Sequence, residues 1–151
     1  ECYDDVRELL QNFRTKITQK NINEAIETLA QRLAEQSHIR VHTEWHGNGA
    51  PLTPSQQLQF IFILQESLSN IRKHAQAQNV TIRIDNQQDY TLTITDDGIG
   101  FNPHTERTDD HIGLNIMQER AQRIRARLSI QSQQNHTRIQ LTLPKKERNQ
   151  T

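Results

Sequence analysis

The chain has little of what would tie it to several common classes of protein. Cys2 is the one cysteine among 151 residues, so an internal disulfide is excluded and a reducing compartment fits the composition. Lys plus Arg and Asp plus Glu both total 18, and this balance gives no general attraction to nucleic acid or anionic lipid. No apolar run is long enough to cross a bilayer, and no signal peptide is evident.

Apolar residues are also scarce, at 32% of the chain, and the mean hydropathy is −0.87. Leu, Ile, Val and Phe still make up about a quarter of the chain, which favours a folded protein when the net charge is zero. The length suits one domain with an accessory element. Because the sequence begins at Glu1 rather than Met, we expect it to be a part of a longer protein.

Helical periodicity marks the N-terminal region. An apolar stripe runs from Val6 to Ile17, and it needs a partner, either the main domain or a second copy in a dimerising coiled coil. Asn21 or Asn23 is a candidate cap for a second helix. Alternation over residues 39–45 then predicts a strand.

A third helix carries polar groups along one line. Thr53-Pro54-Ser55-Gln56 has the form of a capping box with proline at the first helical position, and the helix is predicted to run to about Ala75. Glu66, Asn70 and Lys73 share a stripe, since residues three and four apart are neighbours on a helix. The sequence therefore predicts a polar line on a largely apolar helix.

Two strands follow, and the second ends in adjacent acids. With a period of two, Leu92, Ile94 and Asp96 point to one face of the sheet and Asp97 points to the other. A carboxylate that faces the core is costly unless something satisfies it. A ligand is a natural candidate for that partner of Asp96.

The C-terminal half completes a mixed sheet. A loop is predicted from Gly98 to Ile112, after which Gly113 opens a further helix, and two final strands cover residues 128–130 and 139–143. Thr137 shares parity with Ile139 and should face inward. The layout predicts an α/β (α+β) two-layer sandwich, with a mixed sheet and its helices on one face.

These residues suit a nucleotide. Asp96 can accept from the amino group of adenine, and the Gly98-Ile99-Gly100 bend lets the backbone pass close to the ring. Thr137 could reach the base edge directly or through water. Asn70 offers a neutral oxygen suited to Mg²⁺, and Glu66 could order a metal-bound water or act as a general base. Lys73 can offset phosphate charge, and amides at a helix start after Gly113 would form an anion site.

At these residues the chain resembles the ATP-binding (Bergerat) domain shared by histidine kinases, gyrase B, MutL and heat-shock chaperones. Residues 66–75 look like the N box of that family, residues 96–101 like its first glycine box, and residues 113–117 like its second. The sequences Lys73-His74-Ala75 and Met117-Gln118-Glu119-Arg120-Ala121 are similar to sensor kinases that pair with LuxR-type response regulators, the nitrate/nitrite sensors among them.

The resemblance implies transfer of a phosphoryl group from Mg-ATP to a histidine and then to an aspartate of a response regulator. Asp96 would bind adenine and Asn70 the Mg²⁺, while Glu66 would lie near the reacting phosphate. The phosphates would face the remaining residues of the site, which are Lys73, His74 and the backbone of Gly113 and Leu114, with Gly98, Gly100 and Thr137 around the base. Residues 101–112 would act as a mobile ATP lid.

The resemblance also implies a division of the longer protein. Residues 1–20 look like the end of the dimerisation and phosphotransfer helix, residues 21–144 like the ATP-binding domain, and residues 145–151 are expected to be a disordered tail. The parent would be a homodimer anchored in the bacterial inner membrane, with this domain in the cytoplasm. The stripe from Val6 to Ile17 is short, so we expect the fragment itself to be a monomer.

Two features depart from the family pattern. The family usually has Gly-Thr near the last strand, where this chain has His136-Thr137. None of the seven histidines is followed by the acid expected of a phosphoacceptor, so the acceptor should lie upstream; they are His38, His42, His46, His74, His104, His111 and His136. Two alternatives stay open, namely another ATPase or serine kinase of the same fold, and a non-catalytic interaction module.

Overall fold

A computed structural model describes residues 19–47, 52–98, 108–133 and 136–147. The apolar stripe from Val6 to Ile17, on the predicted N-terminal helix, lies outside these residues. The helices and strands, in chain order, are α1 (Gln19–Ser37), β1 (Arg40–His46), α2 (Pro54–Asn70), β2 (Asn79–Asp85), β3 (Tyr90–Asp96), α3 (Thr108–Arg123), β4 (Arg127–Gln133) and β5 (His136–Leu143).

The five strands form one mixed sheet in the order β1-β2-β3-β5-β4. β1 runs parallel to β2, and every other neighbouring pair is antiparallel. Ile82, Ile94 and Ile139 lie side by side in register and are buried, because alternate residues of each strand face the helical layer. The predicted two-layer fold with a mixed sheet is confirmed.

α2 is the central helix of the second layer. Its start is the predicted capping box: Thr53 Oγ1 accepts from the Gln56 amide at 3.3 Å, and Gln56 Oε1 accepts from the Thr53 amide at 2.9 Å. Phe60 meets Tyr90 of β3 edge to face, with 5.0 Å between ring centroids. Because the apolar side chains of α2 are buried in the core, its polar line must lie on a fixed side of the helix.

Two helix boundaries differ from the prediction at their starts. α1 begins at Gln19, before both Asn21 and Asn23, and the Asn23 Oδ1 atom is buried without a hydrogen-bond partner rather than capping the helix. α3 begins at Thr108, so Gly113 lies inside the helix and does not open it. Residues 108–112, which the sequence placed in a loop, are therefore helical, and residues 99–107 lie outside the described residues.

Two C-terminal boundaries differ as well. The α-helical part of α2 ends at Asn70, and Ile71–Ala75 continue as a turn of π-helix. Lys145–Glu147, which the sequence placed in a disordered tail, form a 3₁₀ turn. Gln56 Nε2 donates to the Glu147 carbonyl at 2.7 Å, and this partly buried hydrogen bond holds the turn against the start of α2. Residues 148–151 lie outside the described residues.

Candidate functional site

Asp96 ends β3 with its side chain turned into the core, as the strand parity predicts. It is 3% exposed, and its Oδ1 atom accepts from the backbone N–H of Gly98 at 2.8 Å. Burial raises the pKa of this carboxyl above its ordinary value, and the Gly98 hydrogen bond offsets part of that effect. A buried acid with one oxygen held by the backbone is suited to receive a donor from a ligand at its other oxygen.

Thr137 lies directly across from Asp96 on the neighbouring strand β5. It is 2% exposed, and its Oγ1 atom lies 3.3 Å from Ser132 Oγ of β4. The predicted inward direction of Thr137 is therefore observed, and the pair places a hydroxyl beside the carboxylate at one end of the sheet. His136, the residue that stands where glycine is expected, is exposed, and its charge acts to lower the pKa of Asp96.

Asp97 has a different environment from Asp96, although the two are adjacent. It is exposed, and its Oδ1 atom accepts from the amides of Gln78 and Asn79, both at 2.9 Å. Its Oδ2 atom accepts from Asn79 Nδ2 at 2.8 Å. These hydrogen bonds, those from Asn79 first, lower the pKa of Asp97. Asp97 therefore ties the end of β3 to the start of β2, a structural role that sequence parity alone did not reveal.

The polar line of α2 lies at the same end of the sandwich as Asp96. Glu66 and Asn70 are both half-buried on the last turns of the α-helix, and Lys73 is exposed on the π-helical turn. The short segment 76–78 then returns the chain to β2, where Asp97 holds Gln78. The end of α2 and the acidic end of β3 thus lie at the same end of the sandwich. A π-helical turn is often found at a functional site.

α3 packs against the polar line of α2. A Cβ atom on Gly113 would lie 2.9 Å from Glu66 Oε1, so the backbone of α3 and the Glu66 carboxylate are in close contact. One turn further on, the Ser67 hydroxyl lies 3.5 Å from the Met117 sulfur. The structure therefore brings Gly113 to Glu66 through helix packing, whereas the sequence predicted a free helix start at this glycine.

The remaining predicted site residues divide into two groups. Leu114 is half-buried on α3 beside Gly113. Gly100 and the side chain of His74 lie outside the described residues, so their predicted contacts stay predictions. Sequence reasoning missed the contribution of Asn79, for which the only signal was a polar residue at a strand start.

A family model described as the histidine kinase-, DNA gyrase B- and HSP90-like ATPase matches residues 55–147. The chain therefore belongs to this ATPase family, and it is the ATP-binding catalytic domain found in sensor histidine kinases. The sensor protein NarQ homolog of Haemophilus influenzae is 32% identical over 145 residues, which cover 94% of this chain and 25% of that protein. The nitrate/nitrite sensor protein NarQ of Escherichia coli is 30% identical over 82% of this chain and 22% of its own length.

The solved structures agree with this assignment of the fold. A blue-light activated histidine kinase of Erythrobacter litoralis EL346 superposes with a TM-score of 0.66 at 15% identity, over 83% of this chain and 42% of that one. The chain spans about a quarter of the length of the sequence relatives it matches. Among the helices that the structure describes, none has the length and apolar character needed to span a membrane.

Proposed function

We propose that this domain binds Mg-ATP between Asp96 and the end of α2 and transfers the γ-phosphoryl group to a histidine outside these 151 residues. The observation that carries the proposal is the buried Asp96 carboxylate, which has one oxygen on the Gly98 amide and Thr137 at its side. Such a carboxylate, desolvated and incompletely neutralised, is costly without a ligand. An adenine amino group supplies the donor that it needs.

The base specificity follows from the direction of these hydrogen bonds. The carboxylate of Asp96 offers acceptors, so it favours the amino group of adenine over the keto oxygen of guanine at the same ring position. Thr137 can donate or accept and is suited to a ring nitrogen or to a bridging water. Gly98 is buried beside them, and its lack of a side chain allows the ring to approach the backbone.

The phosphates are proposed to lie over the end of α2. Asn70 presents a neutral oxygen of the kind that Mg²⁺ accepts as one of few protein ligands, and Lys73 supplies positive charge on the following turn. Bound Mg²⁺ would neutralise charge that develops on the phosphoryl oxygens. Glu66, one turn before Asn70, is proposed to order the attacking group or to take its proton.

The acceptor histidine is proposed to precede this chain in the longer protein, and the phosphoryl group to pass on to an aspartate of a LuxR/NarL-type response regulator. The family membership and the sequence relatives support a two-component partner. We also propose that residues 1–20 contribute to a dimer interface and that the longer protein is anchored in the inner membrane. A nitrate or nitrite input is supported only by the names of the relatives and concerns the part of the protein outside this chain.

The test compares the 151-residue chain with the full-length protein, each incubated with Mg²⁺ and γ-labelled ATP. We expect both to bind ATP and only the full-length protein to become labelled on histidine, with label that is stable to base and labile to acid. Label on a histidine of the short chain would contradict an acceptor outside it. Steady release of phosphate by the short chain, abolished by Glu66→Ala, would instead indicate an ATP-hydrolysing member of the family.

A further inference from the structure

Gly113 occupies a position where glycine is unfavourable for the helix itself. It is the sixth residue of α3, inside the helix, where glycine is less stable than alanine. Its backbone does not require glycine either, because among the described residues the glycine with a positive φ is Gly47. Neither helix capping nor backbone strain therefore accounts for a glycine at position 113.

The packing of α3 on α2 gives a reason. A Cβ atom on Gly113 would lie 2.9 Å from Glu66 Oε1 and 3.8 Å from Glu66 Cδ. Both atoms that this Cβ would meet within 4 Å, among the described residues and apart from the helix's own backbone, belong to the Glu66 carboxylate. The space that a side chain at position 113 would need is thus taken by the carboxylate of Glu66, the residue proposed to act at the reacting phosphate.

We infer that Gly113 is a positioning residue for Glu66: its missing side chain lets the carboxylate lie against the backbone of α3 in one place. Ordinary contact with a Cβ atom begins near 3.4 Å, so a side chain at position 113 would have to displace Oε1, at 2.9 Å, by about 0.5 Å to reach ordinary contact. This inference rests on the proposed role of Glu66. It is distinct from a contact between the Gly113 amide and the phosphates, which would act without Glu66.

The physical consequence is that stability and activity should change in opposite directions. The group displaced by a new Cβ is the free end of a flexible side chain, so the fold can adjust at small cost. Alanine also removes the unfavourable glycine from the helix interior. A displacement of the carboxylate by a sizeable fraction of an ångström, in contrast, is large for a group that must meet a reacting phosphate, where a misplacement of ~1 Å can reduce a rate about 100-fold.

The first experiment compares Gly113→Ala with Gln122→Ala in the full-length protein. Gln122 is exposed on the same helix and lies outside residues 113–117, so its replacement by the best helix former adds no new atom at Glu66. We expect both variants to melt at the parent temperature or up to about 4 °C above it. We expect Gly113→Ala alone to lose self-phosphorylation rate at saturating Mg-ATP, about 10-fold or more, with the ATP dissociation constant within about two-fold of the parent.

The second experiment closes a double-mutant cycle with Glu66→Ala. If Gly113 acts through the carboxylate, then Gly113→Ala should change the rate no further once residue 66 lacks that carboxylate. An undiminished loss of rate in the Glu66→Ala background, or a loss of ATP affinity in place of rate, would overturn the inference and indicate a direct contact of the Gly113 region with phosphate.

Melting temperatures test the contact between Gly113 and Glu66 independently of the proposed role of Glu66 in phosphoryl transfer. If Glu66→Ala retains the parent rate, the proposed role of Glu66 fails, but the contact still predicts that Gly113→Ala stabilises the Glu66→Ala protein more than the parent. Equal shifts in the two backgrounds would overturn the contact. Should Gly113→Ala alone fail to fold, recovery of the fold in the double variant supports the inference, and continued misfolding overturns it.

Discussion

Replacement of Asp96 by asparagine should weaken ATP binding about 100-fold while it leaves the fold intact. The carboxylate has two acceptor oxygens, and the Gly98 amide uses Oδ1 at 2.8 Å. Asparagine has a single acceptor oxygen. If that oxygen keeps the Gly98 amide, the side-chain amino group faces the amino group of adenine, and if the amide is flipped, it faces the Gly98 N–H. Either orientation sets two donors against each other.

The expected loss can be estimated from hydrogen-bond energies. A hydrogen bond to a charged group contributes ~1.5–3 kcal/mol, and a buried donor left without a partner costs ~1–3 kcal/mol. A loss of about 3 kcal/mol in binding free energy corresponds to a dissociation constant about 100-fold weaker. ATP at about 100 times the parent dissociation constant should add ~2.7 kcal/mol to the free energy of unfolding of the parent, but only ~0.4 kcal/mol to that of the variant.

The assay is thermal unfolding of the 151-residue chain with and without Mg-ATP. At about 2–4 °C per kcal/mol, the parent should gain ~5–10 °C and Asp96→Asn about 1–2 °C. Burial raises the pKa of Asp96, so the ionised side chain weakens the ligand-free fold at neutral pH. The ligand-free variant should therefore melt at or above the parent temperature.

The matched control is Asp97→Asn, the same chemical change at the adjacent residue. Asp97 accepts from the backbone of Gln78 and Asn79 at an exposed position, so its replacement should leave the response to ATP unchanged. A full ATP-induced rise in Asp96→Asn, or an equal loss of that rise in Asp97→Asn, would refute the assignment of Asp96 as the adenine-binding carboxylate.

Three further predictions concern the metal, pH and the C-terminal turn. Asn70→Ala should abolish the part of the ATP-induced stabilisation that disappears when EDTA removes Mg²⁺; an unchanged difference between Mg²⁺ and EDTA would contradict the proposed ligand. Hydrogen bonds from Asn79 lower the pKa of Asp97, so its stabilising contribution is present above the ordinary carboxyl pKa and is lost as pH falls through the folded value. Urea unfolding from pH 6 to pH 2.5 should therefore show a steeper acid loss in the parent than in Asp97→Asn. Gln56→Ala removes its half of the capping box, in which Oε1 accepts from the Thr53 amide, and also the hydrogen bond to the C-terminal turn. It should lower the free energy of unfolding by about 1–3 kcal/mol in a denaturant titration.

Short-range patterns predicted much of the site because each depends on neighbours in the chain. The capping box at Thr53 follows from side chains that bond the backbone within the same turn. Strand parity placed Asp96 and Thr137 inward, and the observed register sets them opposite each other. The order of the three boxes was enough to predict an ATP-binding domain, and the family membership confirms it.

Helix ends were predicted less well, since they depend on packing against other parts of the chain. The π-helical turn after Asn70 has no counterpart in the apolar spacing of α2. The sequence predicts a helix start at Gly113, but α3 begins earlier at Thr108 and includes the glycine. The turn at Lys145–Glu147 is polar and would be disordered by composition, but Gln56, distant in the chain, holds its backbone.

The sequence by itself determined the class of protein, the sheet of alternating strands and the carboxylate that faces inward. Helical periodicity and strand parity depend only on positions along the chain, so they can be read without knowledge of the tertiary contacts. Only the tertiary structure decided that Asp97 joins two strands through Asn79, and that the empty space at Gly113 lies against Glu66. Those contacts join residues far apart in the chain, and they exist only because the sheet pairing and the packing of α3 on α2 bring the groups within contact distance.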